Sequence, residues 1–131
     1  MIVMVSGGFD PPHIGHLRMI ESASTFGDVI VALNSNKWLK RKKGKPFMDW
    51  YERAELLREW RHVGEVIPVG DDDGTVCQAL RSVRPNYFAN GGDRTHENKQ
   101  EGDVCRELGI IQLFGIGGNK IQSSSKLCAI R

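Results

Sequence analysis

Apolar residues in this chain gather in five short runs, separated by stretches that are polar or amphipathic. The first run is Ile2-Val3-Met4-Val5. The second, Asp28-Val29-Ile30-Val31-Ala32-Leu33-Asn34, is almost unbroken and of strand length, the pattern of a strand covered on both faces in a parallel sheet. Val63 to Val69, Pro85 to Ala89 and Ile110 to Phe114 complete the set. Helical spacing fills the intervals. Leu17, Ile20, Ala23 and Phe26 predict a helix from about Ile14 to Phe26, stopped by Gly27. Ala54, Leu57 and Trp60 predict another from Asp49 to about His62, with Asp49 as its cap and Glu52 completing a capping box. Two more are expected over Thr75 to Val83 and from about Glu97 to Leu108, the latter closed by Gly109. Strand and helix alternate throughout, so the chain reads as one α/β domain over residues 1–131. Its crossovers should be right-handed, opening a ligand crevice at the carboxyl ends of the strands.

Composition narrows this picture only slightly. The 131 residues suffice for one domain with a real core, although apolar content is a modest 40%. Eighteen basic against sixteen acidic residues leave a net charge of +2, too small to argue for nucleic acid or membrane as partner. Cys77, Cys105 and Cys128 are odd in number and contain no CxxC pair, which fits a reducing, cytoplasmic setting better than disulfides or zinc. The N-terminal apolar run is too short for a signal peptide or membrane span and reads as a core strand.

Candidate chemistry clusters where strands end. Ser6-Gly7-Gly8-Phe9-Asp10-Pro11-Pro12-His13-Ile14-Gly15-His16 reads as a strand end, a glycine turn allowing close backbone approach, and the start of a helix. His13 and His16 are three apart and share a helical face, beside N–H groups that the first turn leaves free. They suit phosphate oxygens; metal ligation and structural capping are the competing readings, and no third His or Cys has a place nearby. Lys37 to Lys45 holds six basic residues in nine positions, either a solvated loop or a mobile basic flap over a polyphosphate. Arg53 stands in the first turn of its helix against the macrodipole, so it is either solvated or kept to meet an anion. Asp71-Asp72-Asp73 lacks full calcium-loop spacing and reads mainly as a helix N-terminus. Asn90-Gly91-Gly92-Asp93 repeats the opening device, and Asp93 could accept from a ribose or substrate hydroxyl. A third glycine turn, Gly115-Ile116-Gly117-Gly118, leads to Ser123-Ser124-Ser125.

In this order the motifs resemble a known family. Gly7 to His16 is similar to the HxGH signature of the nucleotidyltransferases that include cytidylyltransferases and adenylyltransferases. Ile121 to Leu127 resembles that family's second, serine- and threonine-rich signature. The subgroups most similar are glycerol-3-phosphate cytidylyltransferase and the domain that adenylylates heptose 1-phosphate. The resemblance implies a Rossmann-like three-layer sandwich with a five-stranded, mostly parallel sheet. It also implies a reaction in which ATP or CTP and a small phosphorylated acceptor give an NDP-linked product and pyrophosphate. His13, His16 and Lys43 would be catalytic. Gly8, Phe9, Gly15, Gly92, Asp93, Ser123, Ser124 and Ser125 would bind the nucleotide, and Asp10, Lys40, Lys45 and Arg53 the acceptor. Mg2+ would bridge the phosphates with no protein metal site, and a homodimer would be the assembly. Two departures stand out. Gly117-Gly118-Asn119-Lys120 replaces the Arg that cytidylyltransferases place before the second signature, and Pro11-Pro12 is more like mononucleotide adenylyltransferases. A non-catalytic nucleotide-sensing domain, a mononucleotide adenylyltransferase and a nucleic-acid-binding module using Lys37 to Lys45 are the alternatives.

Overall fold

The computed structural model describes residues 1–91 and 98–117. In chain order the elements are β1 (Ile2–Gly7), α1 (Ile14–Ala23), β2 (Asp28–Leu33), α2 (Asn36–Lys43), α3 (Trp50–Arg58), β3 (Val63–Pro68), α4 (Cys77–Val83), β4 (Tyr87–Gly91), α5 (Lys99–Leu108) and β5 (Ile111–Ile116). The five strands form one sheet in the order β3-β2-β1-β4-β5, and every pair is parallel. The expected Rossmann-like sandwich is therefore present. β1 is the central strand, in register from Ile2 opposite Asp28 to Gly7 opposite Leu33.

Alternation along the strands divides the core in two. Val3, Val5, Val29, Val31 and Leu33 face Ile20 and Ala23 of α1 and Ala54 and Leu57 of α3. Met4, Ala32 and Phe88 face the other way, against Ala79 and Leu80 of α4 and Val104 and Cys105 of α5. The helices thus form the two outer layers. The order of connections reverses between β1 and β4, so the crevice of a doubly wound sheet lies over the carboxyl ends of these strands.

Some boundaries differ from the sequence pattern, for local reasons. α1 ends at Ala23 because the hydroxyls of Ser24 and Thr25 donate to Glu21 O and Ser22 O and close the helix end early. α3 stops at Arg58, although Trp60 still packs on the core. α4 begins at Cys77; the Asp71-Asp72-Asp73 turn precedes it, with Asp73 Oδ1 accepting from the Thr75 N–H and hydroxyl. The larger correction concerns the basic segment. It is no loop: Ser35 caps a helix by accepting from Trp38 N, Gly44 ends it at φ 87°, and Leu39 is buried beneath it.

Candidate active site

At the end of β1 the chain passes over α2. A Cβ on Gly8 would stand 2.8 Å from Leu39 Cδ2, so a larger residue here would make the Leu39 side chain shift. Phe9 follows at φ 48°, an uncommon conformation for a side-chain-bearing residue, and its ring is buried against His16 at a centroid distance of 4.5 Å. Its side chain is part of the core and packs against a histidine.

Asp10 is 1% exposed, and its carboxylate accepts from Phe47 N and Met48 N, each at 2.6 Å. Lys43 Nζ lies 2.8 Å from Asp10 Oδ2 and donates to Asp10 O. The pair expected to contact substrate thus ties the segment after α2 to the glycine turn. Lys40 and Lys45 are exposed, while Lys42 sits with Nζ 4.7 Å from the centre of the Trp38 ring.

The two imidazoles form a capping box at the start of α1. His13 is the N-cap: its Nδ1 accepts from Gly15 N at 3.1 Å, and His16 Nδ1 accepts from His13 N at 3.2 Å. The rings stack at 3.7 Å and 20°. Some of the backbone N–H groups expected to be available to a ligand are therefore consumed by the histidines themselves, and Gly15 enters the site as one of these donors. The consequence is chemical. A nitrogen that accepts carries no hydrogen, so each neutral ring holds its hydrogen on Nε2, an atom that is buried in His13. Two donors, fixed in tautomer and orientation at a positive helix end, are arranged for anionic oxygens.

Arg53 corrects another expectation. It is fully buried, with Nε donating to Met48 O, Nη1 to Gly8 O and Asn34 O, and Nη2 to Asn36 Oδ1. Burial lowers its pKa from the ordinary guanidinium value, against the opposing pull of the Asp10, Asp49 and Asp71 carboxylates. It is neither solvated nor presented to an anion; it braces the loops that follow β1 and β2.

Asp71 is a second brace, one that the sequence pattern placed only in a turn. Its carboxylate accepts from Asn34 Nδ2, Ser35 N and Ser35 Oγ, and Arg41 donates to its backbone carbonyl. Burial acts to raise its pKa, but the hydrogen bonds from Ser35 and Asn34 outweigh it and hold the carboxyl below its usual value. The folded chain then binds fewer protons here than the unfolded one. This stabilisation is present above about pH 4 and is lost as pH falls through the lowered folded value. Thermal melts from about pH 5 down to about pH 2 should show Asp71→Asn less stable at the upper end and flatter in slope. Parallel curves for both proteins would exclude this role.

Ser6, Gly7, Gly8, Asn34, Trp38, Lys42, Gly74, Val76, Asn98 and Glu101 line a cleft of about 270 Å³ beside the glycine turn. Glu101 is 6% exposed and accepts from Val76 N. Periodicity gave no hint of this group, because it combines residues from β1, the turns after β1 and β2, α2 and the starts of α4 and α5. Gly92, Asp93, Ser123, Ser124 and Ser125 lie outside the described residues. Among the described residues, no three His, Cys, Asp or Glu side chains gather as metal ligands. No helix there is long and apolar enough to cross a membrane.

Residues 4–115 match the family model described as cytidylyltransferase-like. The chain is 34% identical over 111 residues to the bifunctional protein HldE of Geobacter metallireducens, covering 82% of this chain and 22% of that protein. It is 30% identical to the FAD synthase of Pyrococcus abyssi over 82% of this chain and 74% of the relative. In structure it is similar to the lipopolysaccharide core biosynthesis protein from Thermoplasma volcanium GSS1, with a TM-score of 0.74 and 23% identity over 87% of this chain and 93% of the other. The chain spans about a fifth of the HldE protein that it matches.

Proposed function

The chain belongs to the cytidylyltransferase-like family of nucleotidyltransferases, and from that premise we propose that it transfers a nucleoside monophosphate from ATP or CTP to a small phosphorylated acceptor, releasing pyrophosphate. Sugar 1-phosphates, heptose 1-phosphate among them, and glycerol 3-phosphate are the acceptors that the family resemblance suggests. The observation that carries this reading is the histidine capping box, in which both Nδ1 atoms accept from backbone N–H and each neutral ring therefore keeps its hydrogen on Nε2.

An acceptor phosphate oxygen attacks the α-phosphorus in line, the bond from that phosphorus to the bridging oxygen breaks, and pyrophosphate leaves with the bond pair. The attacking phosphate is already an anion, so no general base is required. What the reaction needs is alignment of two anions and donors on the oxygens where charge accumulates. Neutral Nε2–H groups supply such donors without accepting a proton. Magnesium enters as part of the triphosphate: the carboxylate of Asp10 already holds Phe47 N, Met48 N and Lys43, so the donor set here does not fit a resident metal, and no step is assigned to one.

The similarity to an FAD synthase, three quarters of whose length the chain spans, favours a second reading in which the acceptor is itself a mononucleotide. A pyrophosphate-release screen decides between them. The four ribonucleoside triphosphates are crossed with sugar 1-phosphates, glycerol 3-phosphate and mononucleotides. Release with one triphosphate and a sugar or polyol phosphate is the expected result. Release only with a mononucleotide would establish the second reading, and no release with any pair would leave a binding domain.

A further inference from the structure

A second cavity, of about 500 Å³, opens at the amino ends of β2 and β3, the edge of the sheet away from the histidines. β2 starts at this cavity with Asp28 and reaches Leu33, beside the glycine turn, roughly 17 Å further on at the usual rise per residue. The walls come from Ser24 at the end of α1, from Asp28 and Val29, and from Arg61, Val63 and Gly64. A bulge shapes one side of it. Val29 stands opposite Val63 and Ile30 opposite Glu65, which leaves Gly64 as the extra residue, and a Cβ there would lie 3.0 Å from Val29 O. The charges around the cavity are opposite and unpaired. Among the described residues, neither the Arg61 guanidinium nor the Asp28 carboxylate has an ion-pair or hydrogen-bond partner, although both line the one cavity. The neighbouring His62 is turned elsewhere, with Nε2 3.9 Å from a Glu21 carboxylate oxygen. The Ser24 hydroxyl donates to Glu21 O, which leaves its own oxygen as an acceptor. α1 and α3 both end at this edge, and their carbonyl ends add negative potential.

These groups select a ligand class by elimination. A phosphate or other polyanion would meet Asp28, Glu21 and two helix carbonyl ends, whereas a simple cation would meet Arg61. A wholly apolar molecule would leave both charges without a partner. A compact dipolar molecule answers both, and Val29 and Val63 add an apolar surface between them. We propose that this cavity binds a free amino acid with an aliphatic side chain, its carboxylate accepting from the planar fork of Arg61 and its ammonium group donating to Asp28. The volume falls within the usual range of small-molecule sites. The assignment is independent of the transferase reading, since it uses none of the residues placed at the histidine site.

An NMR titration of the nitrogen-labelled full chain with L-valine should move the amide signals of Asp28 and Gly64 in a saturable way and leave that of Gly15 in place. N-acetyl-L-valine keeps the carboxylate but has no cation, and L-valinamide keeps the ammonium group but has no carboxylate. Each should bind about tenfold more weakly, the usual cost of one lost charge-assisted contact. Arg61→Gln should weaken L-valine by about the same factor and leave L-valinamide unchanged. Asp28→Asn should weaken L-valine equally and leave N-acetyl-L-valine unchanged. Both positions are exposed, so both variants should melt with the parent protein. No saturable shift with L-valine, equal affinity for the three probes, or parental L-valine binding by both variants would overturn the assignment. So would sedimentation showing a dimer that Arg61→Gln dissociates, because this face would then be an interface between copies of the chain.

Discussion

Replacing His16 with asparagine is expected to reduce turnover by about 10²- to 10³-fold while leaving the melting temperature close to that of the parent protein. The rate estimate is the usual cost of removing one preorganised donor from a site where charge develops. The stability estimate follows from what the ring does in the fold. His16 Nδ1 accepts from His13 N, one of the donors that the start of α1 leaves without a helical partner. An asparagine carbonyl oxygen occupies nearly the position of Nδ1 and preserves that bond, but nothing in asparagine reaches as far as Nε2. Alanine at the same position removes both functions and should additionally cost about 1 kcal/mol, the value of a lost cap. His13→Asn is the companion case, since asparagine is among the best N-cap residues and also lacks the distal donor. Pre-steady-state measurement of pyrophosphate release, read beside thermal melts of the three variants, separates the roles. If His16→Asn turned over at the parental rate, the histidine pair would be a capping device alone, and the proposed chemistry would lose its principal support.

The strands were legible because a strand covered on both faces must be apolar at every position. Val29 to Leu33 cannot be mistaken for much else. The site was legible in position, at the glycine turn after β1, but not in its internal wiring. The i, i+3 spacing of His13 and His16 is also the spacing of an N-cap and its N3 residue, so the capping box was available to inspection. Histidine simply does not stand among the favoured caps. The basic segment misled for a different reason. Only Leu39 is buried in α2, so no apolar stripe announces the helix, and the charges dominate the pattern. Its ends were marked by Ser35 and by Gly44. The partners of Asp10 could not be read from the sequence, since Phe47 and Met48 lie 37 and 38 residues away and are engaged through their backbone N–H groups. Local sequence records which groups can donate and accept. It does not record which distant loops the sheet brings together.

Arg53→Met is expected to lower stability by about 3–5 kcal/mol, the range found when one member of a buried ionic network is removed. Against a total of about 5–15 kcal/mol for a domain, that should lower the melting temperature by at least about 10 °C. Methionine fills much of the volume, so lost packing is a minor part of the effect. The larger part is electrostatic and polar. Met48 O, Gly8 O, Asn34 O and Asn36 Oδ1 would all lose their donor together, three of them in the loops that frame the glycine turn. Asp10 and Asp71, each nearly inaccessible to water, would lose a neighbouring cation. Arg53→Lys isolates geometry from charge. An ammonium restores the cation but cannot span four acceptors lying at both nitrogen ends of a planar fork, so it should recover only part of the loss. The same brace predicts how activity responds. Gly8 and Asn34 both line the cleft, so releasing their carbonyls should lower kcat/KM in Arg53→Lys at temperatures where the variant is fully folded. A variant that melts with the parent protein but binds both phosphorylated substrates poorly would reverse the assignment, placing the guanidinium on the ligand and not in the frame that holds the site.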